Sequence, residues 1–293
     1  MTRRVARLSL AMLALFLLFA SARGVVFAQQ PTLEEVLAKA AQYVTAFTDP
    51  SRALVCEEAY EHTYYKRMMN TGGGSERTPQ NTRRWVAEKV VLATPVDEKA
   101  GFPWIEFRDI VSMDRKPVRD GVSRLPALLI EPKIPDVVSA IAITRESTSS
   151  QTGRLDRMVL LPRLPALFLH AANQPRFTFT KGGSRTIQGV KTMEVKFQEK
   201  GAPTIIKTSL GQDAPSSGSL WIDPATGAVL GSFLKNGDSS ALYDELTTTY
   251  ALDQATSLWL PVSLVERMYD SQDEKEIDGK GTFKGWRFAP RGR

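Results

Sequence analysis

The side chains in this chain that could do chemistry are few, and their spacing brings none of them together. The 293 residues include two histidines, His62 and His170, and one cysteine, Cys56. A zinc site wants several His, Cys or carboxylate ligands at short, regular spacing. Neither histidine has such a companion at ligand spacing, so no metal site is expected. His62 sits in a tyrosine-rich segment and His170 closes the apolar piece Leu167-Phe168-Leu169, so both read as surface or packed histidines. Cys56 ends the apolar run Ala53-Leu54-Val55; alone, it cannot form an intramolecular disulfide and reads as a small buried hydrophobe. Carboxylates adjoin at Glu57-Glu58 and Asp244-Glu245, but neighbours on a strand point to opposite faces, so neither pair flanks one substrate bond. G-x-S-x-G, H-E-x-x-H, P-loop and G-x-G-x-x-G patterns are absent. The triple glycine Gly72-Gly73-Gly74 lacks a following Lys-Ser or Lys-Thr and reads as a flexible hairpin tip. These residues argue against an enzyme, and no catalytic residue, metal or cofactor is assigned.

The positive signal is apolar. In Leu258-Trp259-Leu260-Pro261-Val262-Ser263-Leu264-Val265 the even positions are all apolar, and Trp259, Pro261 and Val265 on the other parity are not polar either. Trp104 and Phe107 likewise fall on opposite faces of one strand. A sheet apolar on both sides is either covered by helices or holds something apolar. If a concave face holds a ligand, the candidate lining residues are Phe107, Phe177, Phe179, Met193, Val195, Leu220, Ile222, Tyr250, Leu260 and Val262.

The elements that must position these residues can be read along the chain. Residues 31–49 hold Leu33, Val36, Leu37, Ala40 and Val44 at helical spacing, with Glu34 and Glu35 at the positive end of the dipole. This is an amphipathic helix. Alternating patterns then predict strands over 54–68, 83–93 and 104–111, with a turn at Asp114-Arg115-Lys116 and a short return at Pro117-Val118. Residues 120–148 change to broken helical pieces, Arg124–Ile130 and Asp136–Ile143, cut short by Pro126, Pro132 and Pro135. A further piece covers Pro165–Ala172, so an inserted helical block lies near 120–170. From Pro175 onward strands recur at short intervals, including one begun by Ile205-Ile206. In Asp223-Pro224-Ala225-Thr226-Gly227, Pro224 pre-sets the turn and Gly227 supplies a left-handed position. The fold class is α+β. Roughly ten strands joined by short loops imply one large curved antiparallel sheet, an unclosed β-barrel with helices over its concave side.

The N-terminus fixes the setting. Arg3, Arg4 and Arg7 precede the apolar run Leu8 to Ala20, and Val26-Phe27-Ala28 places small residues where signal peptidase reads them. The apolar run is short of the ~20 residues that span a bilayer, so residues 1–28 are expected to be a cleaved signal peptide and 29–293 a single domain. No cysteine follows the run to carry a lipid, so the expected product is periplasmic or secreted, with no stable membrane insertion after cleavage. Four of the 38 basic residues lie in that segment, so the remainder has 34 basic against 32 acidic residues. That balance gives no reason to propose nucleic acid as a partner.

The C-terminal half resembles a known family. Gly218 to Leu230, with Trp221-Ile222-Asp223-Pro224-Ala225-Thr226-Gly227 at its centre, is followed by a strand ending in Tyr250. Next come Leu258-Trp259-Leu260-Pro261-Val262 and Thr282-Phe283-Lys284-Gly285-Trp286-Arg287-Phe288. This series resembles the periplasmic lipoprotein-carrier fold, which includes LolA, LolB and the RseB sensor domain. The chain as a whole is also similar to uncharacterised secreted bacterial proteins through Asn173-Gln174-Pro175-Arg176-Phe177. The motif match covers 218–288, and the strand pattern extends it to residue 54. The resemblance implies an unclosed barrel whose helices plug or lid a cavity that takes acyl chains in the carriers. It implies a hydrophobic ligand or lipoprotein acyl chains as partner, or, on the RseB pattern, another envelope protein. The 120–170 block departs from a simple carrier, and no ligand-contacting arginine of a carrier maps onto a position here. The resemblance therefore carries the fold and leaves the site open.

Overall fold

Thirteen short-looped strands are present in a computed structural model that describes residues 30–45, 49–69, 75–93, 101–148, 155–156, 162–208, 210–238, 242–270 and 275–291. The expected signal segment and the Gly72–Gly74 tip lie outside the described residues. Residues 33–293 form one compact unit. The strands are β1 (Arg52–Met69), β2 (Ser75–Ala93), β3 (Trp104–Met113), β4 (Lys116–Pro117), β5 (Leu155–Asp156), β6 (Phe177–Ile187), β7 (Val190–Glu199), β8 (Lys207–Thr208), β9 (Ser216–Ile222), β10 (Val229–Asp238), β11 (Leu242–Asp253), β12 (Leu258–Asp270) and β13 (Lys275–Pro290). Eleven of them form one antiparallel sheet in the order β4-β3-β2-β1-β13-β12-β11-β10-β9-β7-β6, open at both edges; β5 and β8 pair separately. Ile205 and Ile206, expected to begin a strand, instead bend into the core. The Glu199 carboxylate accepts the Ile205 N–H at 2.8 Å, and the short strand starts only at Lys207.

The helices are α1 (Leu33–Thr45), α2 (Leu125–Leu129), α3 (Val137–Thr148) and α4 (Leu164–Leu167). They divide between the two faces of the sheet. Along β1, Leu54, Cys56 and Tyr60 join one core cluster, while Ala53 and Val55 join another. That is the two-residue alternation of a strand buried on both sides. The larger cluster, on what is here called the inner face, takes in Val36, Ala40 and Val44 of α1 and the run Leu167-Phe168-Leu169. The smaller one, on the outer face, takes in Leu125 and Leu129 of α2 and Ala140 and Ile143 of α3.

The α2 and α3 part of the inserted block is thus fastened to the outside of β1–β3, whereas its 164–169 part lies on the inner face. Asp109 of β3 accepts from the Arg124 backbone at 2.8 Å and from the Arg119 and Arg124 guanidinium groups at 2.9 and 2.8 Å. Hydroxyls of α3 also close the open edge of β3: the Arg108 N–H donates to Thr144 Oγ1 and the Ile110 N–H to Ser147 Oγ, both at 3.1 Å. An edge strand left bare would invite pairing with another chain.

The sheet curls around its inner face. Tyr250 on β11 and Glu106 on β3 are five ladder steps apart in the strand order, about 24 Å on a flat sheet. Two consecutive residues hold both. Tyr250 Oη donates to the Pro162 carbonyl at 3.2 Å, and Arg163 Nε donates to Glu106 at 2.9 Å. Burial pushes the Tyr250 hydroxyl pKa up, and the Glu106 carboxylate adds to that from across the sheet.

Helix α1 is seated by its apolar stripe and by one tight backbone approach. The hairpin at Asp223–Gly227 forms as expected: Asp223 accepts from the Ala225 N–H at 2.9 Å and from the Thr226 hydroxyl at 2.7 Å, and Gly227 has φ +80°. A Cβ on Gly227 would stand 2.3 Å from the Lys39 carbonyl carbon of α1. Lys39 Nζ in turn donates to the Pro224 carbonyl at 3.0 Å. Gly227→Ala combines a left-handed backbone penalty with a clash that lifts α1, and is expected to cost about 2–5 kcal/mol, read as a lower urea midpoint with unchanged slope.

Candidate functional site

The inner face is an apolar basin with a charged strip across one side. Under α1 and the 162–170 segment the sheet presents Met193 and Val195 from β7, Leu220 and Ile222 from β9, Tyr250 from β11 and Leu260 from β12, all buried in one cluster. Phe168 stacks on Phe177 at 4.5 Å between ring centroids and meets Phe197 edge-on at 5.3 Å. Phe179 packs at the margin of the same cluster. Eight of the ten candidate lining residues therefore share one surface, and α1 and the 162–170 segment lie on it.

The other two do not. Phe107 belongs to the outer cluster with Val90, Leu125 and Ala140, because Trp104, Glu106 and Arg108 occupy the inward positions of β3. Val262 is the extra residue of a bulge: Thr249 pairs with Ser263 and Tyr250 with Pro261, so Val262 has no cross-strand partner and is only half-buried. Counting by twos through Leu258, Leu260 and Leu264 places it inward; the bulge turns it aside.

The charged strip was not foreseen from the sequence. Arg108, Glu58, Lys89, Glu106 and Arg163 form a chain of alternating charge across the inner side of β3, β1 and β2, each 2% exposed or less apart from Glu106 at 4%. Arg108 meets Glu58 at 2.9 Å, Lys89 lies 3.5 Å from Glu58 and 3.1 Å from Glu106, and Arg163 meets Glu106 at 2.9 Å. Trp85 Nε1 donates to Glu58 at 3.2 Å, and Arg163 sits over the Trp104 ring at 5.1 Å. Burial pushes both carboxyl pKa values up. Arg108 and Lys89 outweigh it at Glu58, and Arg163 and Lys89 at Glu106, so both end below the ordinary 4.5. The signal was a charge at an inward position between apolar neighbours, as with Glu58 between Cys56 and Tyr60, or Lys89 between Ala87 and Val91.

A second polar group adjoins the strip. Glu266 of β12 accepts from Tyr60 Oη at 2.7 Å and meets His62 Nε2 at 3.0 Å, with Tyr60 stacked on Trp85 at 5.0 Å. His62 is therefore a packed histidine held by a carboxylate more than two hundred residues away in sequence. Cys56 is buried, and burial pushes its thiol pKa up, away from the reactive thiolate. No grouping of three metal-ligating side chains occurs among the described residues.

The 162–176 segment ties these parts together through backbone oxygens. Asn173 Nδ2 donates to the Gly101 and Leu167 carbonyls at 2.7 and 2.9 Å, and Gln174 Nε2 to those of Leu37 and Leu169 at 3.1 and 2.8 Å. Tyr43 Oη of α1 accepts the Trp259 N–H at 2.7 Å. Burial raises the Tyr43 pKa to about 12, this hydrogen bond opposing the rise. The cover is thus pinned at a few polar points and is otherwise apolar. It forms no ladder with the main sheet.

The architecture is α+β: one unclosed antiparallel sheet with an apolar face under helices. No protein-family model matches the chain, and no curated protein matches it. Among solved structures it is similar to an outer-membrane lipoprotein-sorting protein domain from Vibrio parahaemolyticus, at 14% identity and a TM-score of 0.40, covering 87% of this chain and 92% of that one. It is similar also to a LolA-superfamily protein from Nitrosomonas europaea, at 10% identity and a TM-score of 0.32, covering 90% and 94%. The MucA/MucB complex of Pseudomonas aeruginosa matches at 9% identity and a TM-score of 0.21, covering 88% and 100%. Likeness at this level identifies no ligand and no partner.

Breaking the charged strip at one member leaves buried charges uncompensated. Glu58→Ala is expected to cost about 3–5 kcal/mol. Because the folded pKa of Glu58 lies below its ordinary 4.5, its ionised form favours the folded state; that contribution is present above the ordinary value and fades as pH falls through the folded one. Glu58→Gln should therefore flatten the acid limb of a stability-against-pH curve, whereas a limb as steep as wild type would show that Glu58 does not titrate with folding.

Proposed function

We propose that the protein is a non-catalytic carrier that binds a lipid or other acyl-chain ligand on the inner face of the open sheet, in the periplasm. The observation that supports this reading is the cover itself: α1 meets the basin through Val36, Ala40 and Val44 and a few hydrogen bonds at Leu37, Lys39 and Tyr43, with no strand pairing. An acyl chain offers the same apolar contact, worth about 0.8 kcal/mol for each methylene buried. It can therefore compete with the helix for Val195, Leu220, Ile222 and Leu260. The 162–170 segment is held more firmly, because Arg163 and the Pro162 carbonyl join it to both arms of the curl. In this reading α1 yields and the segment stays.

A second reading has its own observation. β6 is one of the two edges of the main sheet, and residues 180, 181 and 183–186 of it are exposed, while α3 hydroxyls close the opposite edge at β3. An open edge of that length suits strand addition by another envelope protein.

One preparation separates the two. The chain from residue 29, purified under native conditions, is expected to carry co-purifying lipid detectable by mass spectrometry and to take up a fluorescent fatty acid. Leu220→Trp, which fills the basin, should weaken uptake about tenfold, the free energy of roughly two buried methylenes. A folded protein free of lipid, with no uptake, overturns the carrier reading and moves the assignment to the β6 edge.

A further inference from the structure

A cavity of about 600 Å³ opens where β1 begins and β13 ends, lined by Pro50, Ser51, Arg52, Lys133, Phe288, Pro290 and Arg291. It has three cations and no carboxylate in its lining. The Arg52 guanidinium lies over the Phe288 ring at 3.6 Å, and Arg291 Nη1 donates to the Pro50 carbonyl at 3.0 Å. These contacts fix both guanidinium groups on the rim without neutralising Arg291. Arg291 Nε is buried with no hydrogen-bond partner among the described residues.

Of the acidic groups nearby, Asp49 pairs with Arg52 at 2.7 Å and so offsets that cation, which leaves Lys133 and Arg291 as the cavity's uncompensated charges. Asp136 accepts the Ser139 N–H at 3.0 Å, capping α3. Glu131 is exposed two residues before Lys133. The third cation, Lys133, leads directly into the most exposed large apolar side chains among the described residues: Ile134 is 84% and Val138 79% exposed. Val137 and Ile141 pack on the outer cluster, so α3 is anchored with Val138 left facing away from it. Pro132 and Pro135 stiffen the tip that carries Ile134.

A cationic cavity beside a stiff apolar tip matches the two layers of one partner. We propose that this end of the molecule docks on an anionic lipid bilayer, Lys133 and Arg291 in the cavity taking a lipid phosphate while Ile134 and Val138 enter the acyl boundary. Charge complementarity selects the anionic headgroup, and the exposed pair selects a lipid surface over a dissolved anion. The docking face lies at the end of β1 and β13, with Phe288 packed on the inner cluster and Lys133, Ile134 and Val138 carried by the outer block, and it does not depend on the inner face holding a ligand. Fatty-acid uptake in solution and vesicle binding therefore fail separately.

The test is co-sedimentation of the chain from residue 29, which contains the whole compact unit 33–293. Vesicles of phosphatidylglycerol mixed with phosphatidylethanolamine are compared with vesicles of phosphatidylcholine. Binding is expected to the anionic vesicles, weakening with added salt. Lys133→Ala should lower it about fivefold, and Lys133→Ala with Arg291→Ala by a further similar factor. Ile134→Ser should lower it about tenfold. Lys133 and Ile134 are exposed, so the two single variants should keep the wild-type unfolding temperature. Equal binding to both vesicle types, variants that bind as wild type, or protection by inorganic phosphate without any vesicle binding would each overturn the proposal.

Discussion

Arg163 beside Glu106, with the Pro162 carbonyl beside Tyr250, is the contact on which the shape of the molecule depends. An eleven-stranded antiparallel sheet whose inner face is mostly apolar cannot stay flat in water, and it can bury that face only by curling onto something. Here two consecutive residues grip strands five steps apart. The charged strip makes this grip selective. A buried ion pair adds little net stability over a well-packed apolar pair, but it strongly disfavours any arrangement that separates the partners. Arg163 can descend into the core only where Glu106 and the rest of the alternating chain await it.

That distinction separates the two pieces of the cover. The 162–176 segment is fixed by directional contacts to β3, β11 and α1, including two side-chain amides that satisfy four backbone carbonyls. Helix α1 has an apolar stripe and polar pins that include the Lys39 and Tyr43 side chains and the Leu37 carbonyl. Apolar contact is non-directional, so another apolar body of similar area can substitute for it. The outer face follows a different logic: Asp109 with Arg119 and Arg124, and the α3 hydroxyls on β3, fasten α2 and α3 as permanent structure.

Much of the fold was legible because strand alternation is a local signal. The helix at 33–45, the hairpin at Asp223–Gly227, the broken helical block and the serial strands all follow from spacing, turn chemistry and proline placement. The candidate basin was legible in the same way for residues such as Val195, Leu220 and Leu260. Val262 was not, because a bulge beside Pro261 displaces that one side chain while Leu260 and Leu264 on either side of it stay inward. Phe107 was misplaced for want of a second reference: its strand is apolar on both sides, and only Trp104, with Glu106 and Arg108, decides which side is inner. The charged strip was hidden more deeply, since a Glu, Lys or Arg in a strand is read by habit as solvated. Its members are spread from residue 58 to residue 163, and only the folded sheet sets them side by side.

Hydrogen–deuterium exchange with and without saturating fatty acid tests most directly whether α1 is the replaceable part of the cover. Ligand is expected to speed exchange of the amides in residues 33–45 while those of β9–β12 and residues 164–170 keep or gain protection. Bound fatty acid with the α1 amides as protected as before would contradict it, placing the ligand elsewhere and making α1 a permanent part of the core.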